Sequence, residues 1–194
     1  MAKAPHSIRI DGRLIETPTL TMRPWQPSDA EQAISIFGTE EVTRWLAPSM
    51  DRITDVEAMR SQLDNWINSP EPPPVGYWAV VDRESDQLVG SGQIIPMPPE
   101  NRDLLIGFQV LPSQWGSGFG TDVGHALAHY AFENGLDEIF AVVRTRNARA
   151  QSVTERIGME WVGETEKYFG LRLHVYRLRQ GDLDRDPLDT GIVP

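Results

Sequence analysis

The sequence predicts one α/β (α+β) domain, a mixed, mostly antiparallel twisted sheet with helices on both faces. Three observations predict it. Apolar, β-rich stretches at 75–81, 87–95 and 104–111 are joined by short connections, which suit antiparallel neighbours. Amphipathic helical stretches at 121–134 and from Asn147 then alternate with a strand at 139–144. The proline-rich stretch 69–74 is a loop rather than a linker, because each flank is too short to fold alone. The domain is expected over residues 1–180, with 181–194 a mobile acidic tail.

The elements follow in order. Residues 7–10 or 13–16 can pair as an edge strand. Residues 19–25 alternate Leu20 and Met22 against Thr19, Thr21 and Arg23, a strand that ends at Pro24. Ser28 and Glu31 have capping-box spacing before a short helix with Ile34 and Phe37 on its apolar face, closed by Gly38. Residues 40–46 form a helical turn before Pro48. Thr54 and Glu57 repeat the capping box, and the helix over 55–68 buries Met59, Leu63, Trp66 and Ile67. A hairpin turns at 82–86, and another turn spans 96–103. Val123, Leu127, Tyr130 and Ala131 make one helical stripe that ends near Gly135. Ala150, Val153 and Ile157 face inward on the next helix, closed by Gly158. Strands at 160–166 and 171–179 flank a turn at 168–170.

Composition narrows the function. The chain has a net charge of −10 and pI near 4.8. Such a chain repels nucleic-acid phosphates and anionic membranes, so neither is expected as a partner. The acidity suits cationic partners such as amines, or simply solubility. Zero cysteines exclude disulfides, thiolate metal sites and a cysteine nucleophile. No apolar run approaches the ~18 residues of a membrane span, and residues 1–20 lack a signal-peptide core. A cytoplasmic protein is expected.

The chemistry centres on Trp115–Thr121, which reads W-G-S-G-F-G-T. Glycines between a strand and a helix bring backbone N–H groups to a ligand, and the helix N-terminus adds partial positive charge. Together they cradle an anion, most often phosphate. A P-loop would need Gly-Lys-Ser/Thr, and no lysine follows. A Rossmann fingerprint lies in the first βαβ unit, yet here more than half the chain precedes the loop. A nucleotide-binding protein of another kind would need this loop to take free ATP.

These glycines resemble the pyrophosphate-binding signature of the GNAT acetyltransferases, in particular the ribosomal-protein N-acetyltransferase branch. The signature Gln/Arg-x-x-Gly-x-Gly/Ala maps onto residues 115–120, with Trp115 in first place. Residues 19–25 with Asp29, 77–81, Gly107–Phe108 and 147–159 resemble further motifs of that branch, so the likeness runs from about residue 14 to 180. It implies acetyl transfer from acetyl-CoA to a primary amine, a protein N-terminus or a small molecule. Cofactor contacts are implied at Phe108, Gln109, Val110, Gly116, Ser117, Gly118, Phe119, Gly120, Thr121 and Asn147. Asn147 is equally read as a helix N-cap. A homodimer is common among such proteins, and no metal is expected.

The acid and base are not carried over. Leu105 and Phe108 stand where relatives have Glu and Tyr, Ala150 replaces a Ser, and Thr154 holds the place of a tyrosine acid. By residue type and position, His174, Glu164, Tyr168 and Asp103 are the candidates. An α-amine titrates near roughly 7.7–8.0 and lysine near 10.4, so the missing base leans toward an α-amine. A non-catalytic acyl-CoA-binding or sensing protein on the same fold is the alternative. His125 and His129 are four apart, but Ala126 breaks the H-E-x-x-H pattern and both lie opposite the apolar stripe, so a solvated face is expected. The tryptophans are read as core, except Trp45 beside the acceptor region. Loops 47–53 and 69–74 are the expected acceptor loops.

Overall fold

Period-two alternation along one central strand divides the molecule into two cores. A computed structural model of the chain describes residues 7–46, 50–97, 103–168 and 170–184. On β4 (Gly76–Asp82), Trp78 and Val80 face one side of the sheet, and Ala79 and Val81 face the other. The first side packs on α4 (Phe119–Glu133) and α5 (Ala148–Ile157), with Val123, Leu127 and Ile157 inside. The second packs on α1 (Ala30–Phe37) and α3 (Val56–Ile67), where Ile36, Phe37, Met59 and Leu63 are fully buried. Helices therefore cover both faces, as the sequence predicts.

The sheet has nine strands. A hairpin of β1 (Arg9–Asp11) and β2 (Leu14–Glu16) forms one edge, followed by β3 (Leu20–Pro24), β4, β5 (Leu88–Pro96) and β6 (Leu104–Val110). Beyond β6 come β7 (Glu138–Arg144), β9 (Leu173–Arg179) and, at the far edge, β8 (Glu160–Thr165). All neighbours are antiparallel except β6 and β7, whose connection is the crossover through α4. That pair meets at a single bridge, Leu105 to Phe140. Beyond it the two strands part, and the wedge between their C-terminal halves is where the site forms.

Local chemistry moved two predicted caps. Asp29, rather than Ser28, holds the first helix: its carboxylate accepts from the Gln26 N–H at 2.8 Å and from both Arg23 Nη atoms at 2.8 Å. The Asp29 carboxylate does the work of a cap and of a nearly buried ion pair together. Asp55, rather than Thr54, caps α3 through the Ala58 N–H at 2.9 Å. In both cases a carboxylate nearer the first turn outcompetes a hydroxyl. Ile67, expected in the core, is 40% exposed at the last residue of α3.

A short helix, α2 (Glu40–Thr43), follows α1. Pro48, residues 47–49 of the expected acceptor loop and residues 98–102 of the expected turn lie outside the described residues, as does 185–194 of the expected tail. The 3-10 turn Gln180–Asp182 runs into the start of that tail, and Asp184 reaches α4. Among the described residues, no helix is long and apolar enough to cross a membrane.

Candidate active site

The wedge between β6 and β7 opens into a cavity of about 1420 Å³. Leu111 donates its N–H to the Val89 carbonyl at 2.9 Å, back toward β5. Strand alternation then turns the N–H groups of Phe108 and Val110 to the open side. The Val110 carbonyl on that side accepts from the Trp115 indole N–H at 2.9 Å. Arg149 lies over the Trp115 ring at 3.7 Å, which ties the start of α5 to the glycine loop.

The loop has the backbone its glycines permit. Gly116 and Gly118 have φ of 90° and 96°, and Gly118 is the N-cap of α4. A Cβ at either would meet nothing within 4 Å, so conformation rather than space demands glycine there. The Gly118 carbonyl accepts from Thr121 and Asp122 at 3.0 and 3.1 Å. Ser117 N–H turns back to Gln114, and Phe119 N–H meets the Ser117 hydroxyl at 3.3 Å. Among the described residues, the N–H groups of Gly116, Gly118 and Gly120 have no such internal acceptor. Donors at alternate positions around a helix N-terminus form an anion seat.

Nine of the ten positions expected to bind cofactor line this one cavity: Phe108, Gln109, Val110, Gly116, Ser117, Gly118, Gly120, Thr121 and Asn147. Phe119 does not, and its side chain packs on the core instead. Asn147 accepts the Ala150 N–H at 3.2 Å as the N-cap of α5 while facing the cavity. The Phe108 ring packs over Gly120 and Gly124 on the first turns of α4, where Cβ atoms would stand 3.4 and 3.1 Å from it.

The proposed acid–base residues fall elsewhere. His174 pairs with Val143 at the open end of β7, and its Nε2 lies 3.2 Å from Glu164 Oε1. Arg172 holds the other Glu164 oxygen, and that hydrogen bond keeps the Glu164 carboxyl below the usual carboxylate range. Neither residue, nor Tyr168, is among the described residues lining the cavity. Asp103 precedes β6, at the end of the strand opposite Val110, roughly 20 Å away. Thr154 is buried, and its hydroxyl donates to the Gln151 carbonyl at 2.7 Å; burial pushes the Tyr176 phenol above its ordinary value.

Sequence reasoning missed Glu41. It lies on α2 and lines the cavity with Val42, Trp45 and Leu46. Its signal was the pair Glu40–Glu41, which reads as acidic residues at a helix N-terminus. Trp45 does border the cavity, while Trp25 and Trp78 are core. The two histidines of α4 also need correction. His125 is only 7% exposed, not solvated, because α4 is covered by the sheet on one side and by the C-terminal segment on another.

Residues 19–160 match the family model described as an acetyltransferase (GNAT) domain. This chain belongs to the GNAT acetyltransferases. Acetyl-CoA is the acetyl donor of that family, and amines are its acceptors. This N-acetyltransferase is 25% identical over 156 residues to the uncharacterized N-acetyltransferase YoaA of Bacillus subtilis strain 168, covering 80% of this chain and 87% of the relative. Its fold is similar to Mycobacterium smegmatis RimJ in complex with CoA-disulfide (TM-score 0.74, 18% identity, 86% of this chain and 85% of that one). It is also similar to the ribosomal-protein-S5-alanine acetyltransferase of Vibrio fischeri (TM-score 0.72, 18% identity, 89% and 99%). At such identities the likeness is one of fold.

Proposed function

We propose that this GNAT enzyme acetylates a primary amine, with an α-amine favoured over lysine, by direct attack on the thioester of acetyl-CoA. One observation carries the reading: the glycine-loop donors, the open edge of β6 and Asn147 share one cavity. The pyrophosphate sits on the N–H groups of Gly116, Gly118 and Gly120. The pantetheine amides pair with the open edge at Val110. The Phe108 N–H, farther along β6 from the glycine loop, then polarises the thioester carbonyl, and the developing oxyanion gains a donor already in place. The amine enters past Trp45 and Leu46, where Glu41 attracts it as an ammonium and takes its proton. Nitrogen attacks the carbonyl carbon, the C–S bond breaks, and the second proton that nitrogen sheds passes to the departing thiolate, so CoA leaves as thiol.

The fold of the two ribosomal-protein-type neighbours supports a protein N-terminus as one acceptor class. On this reading the enzyme acts in the cytoplasm, alone or as a homodimer. A second reading gives proton transfer to His174 with Glu164 and Tyr168, favoured by the 3.2 Å contact of His174 and Glu164 at the open end of the sheet. Thiol release from acetyl-CoA against peptides with free N-termini, lysine peptides and polyamines tests both. Glu41→Gln lowering kcat/KM about tenfold, with His174→Ala little changed, supports the first assignment. The reverse supports the second. CoA binding with no release from any amine supports an acyl-CoA-binding or sensing protein instead.

A further inference from the structure

His125 and His129 lie one turn apart on α4, with ring centroids 4.7 Å apart at 69°. Asp184, from the segment after β9, brings one carboxylate oxygen to each ring. His125 Nε2 is 2.6 Å from Oδ1, and His129 Nε2 is 3.0 Å from Oδ2. The ligand-type atoms of the three residues all lie within 4.8 Å of one another. The His129 contact lacks the alignment of a hydrogen bond, although that nitrogen is shielded from solvent. Two imidazole nitrogens and a carboxylate oxygen converging on one point are the donor set of a d-block cation, not of calcium or magnesium.

We propose that His125, His129 and Asp184 form a binding site for a divalent d-block cation, zinc first, which fastens the C-terminal segment to α4. Helical spacing i, i+4 presents two imidazoles to one metal, as zinc sites on helices use. Zinc bonds of about 2.0–2.1 Å in tetrahedral geometry set neighbouring donors about 3.3 Å apart. The present N–O separations of 2.6 and 3.0 Å open by about 0.7 and 0.3 Å to reach that, a movement the half-exposed Asp184 side chain can make. The three protein donors leave the fourth position to water. The site lies about 10 Å along α4 from Gly118. His125 and Asp184 line the same cavity as the glycine loop, so the bound cation fixes one of its walls.

Metal binding at this site is tested without acetyl transfer. The full chain, freed of metal with a chelator, is titrated with zinc chloride by calorimetry, and with cobalt(II) by visible absorption. The site predicts one zinc per chain, a cobalt ligand-field band, and affinity at least tenfold weaker in His129→Ala and Asp184→Asn. His174→Ala, outside the cluster, binds zinc like the wild type. Asp184→Asn changes an oxygen at a half-exposed position near the chain end, so its metal-free unfolding temperature stays that of the wild type and separates ligand loss from misfolding. Zinc binding that is absent, or equal in the wild type and both cluster variants, or lost in His174→Ala, overturns the proposal.

Discussion

Gly118 has the backbone conformation that most limits the site. Its φ of 96° costs an L-residue roughly 1–2 kcal/mol, and the strain falls on the turn that aims three N–H groups outward. Gly118→Ala is expected to weaken CoA binding about tenfold in calorimetry, while the same change at the solvent-facing Ser117 has less than a threefold effect. Glycine at these positions was legible in the sequence, because glycine alone spaces the motif. Glu41 was not: a carboxylate on a short helix is ordinary, and only the tertiary path of α2 past Trp45 gives it a cavity to face. The same limit applied to Asp103. Residue type put it among the candidates, and the direction of β6 placed it at the wrong end.

Elements were more legible than their boundaries. Strand alternation and helical stripes are repeated along many residues, whereas a cap depends on one side chain. Asp29 shows the consequence, since its carboxylate binds Arg23 and the Gln26 N–H together. Removing it leaves a guanidinium that is itself about three-quarters shielded. Asp29→Ala is expected to lower stability by about 3 kcal/mol in urea unfolding, with the slope of the transition unchanged. A smaller loss would mean that Arg23 finds water. Beneath the wedge, a Cβ on Gly90 would stand 2.4 Å from the Gln109 carbonyl oxygen, which is backbone and cannot turn aside. Gly90→Ala is expected to push β5 from β6, costing about 1–3 kcal/mol and weakening CoA binding with it. Helix α4 was misread because a single apolar stripe assumes one packed face. Here the sheet, α5 and the C-terminal segment enclose it, and His125 is buried on the side that looked free.

At the scale of the whole molecule, function follows from one interruption in an otherwise continuous sheet. Seven of the eight neighbouring strand pairs are antiparallel ladders, and β6 leaves β7 after one bridge. That divergence frees a strand edge beside a helix N-terminus, which is the shape an extended cofactor with a charged end requires. The parallel pair was legible from the crossover helix, but the single bridge was not, because no sequence pattern records where a ladder stops. The direct test is an amide NMR titration of the isotope-labelled chain with CoA, and with pantetheine, which lacks the pyrophosphate. The Gly116, Gly118 and Gly120 amides are expected to shift with CoA and stay in place with pantetheine, while Phe108 and Val110 respond to both. CoA binding that leaves those three glycine amides unmoved would contradict the pyrophosphate seat.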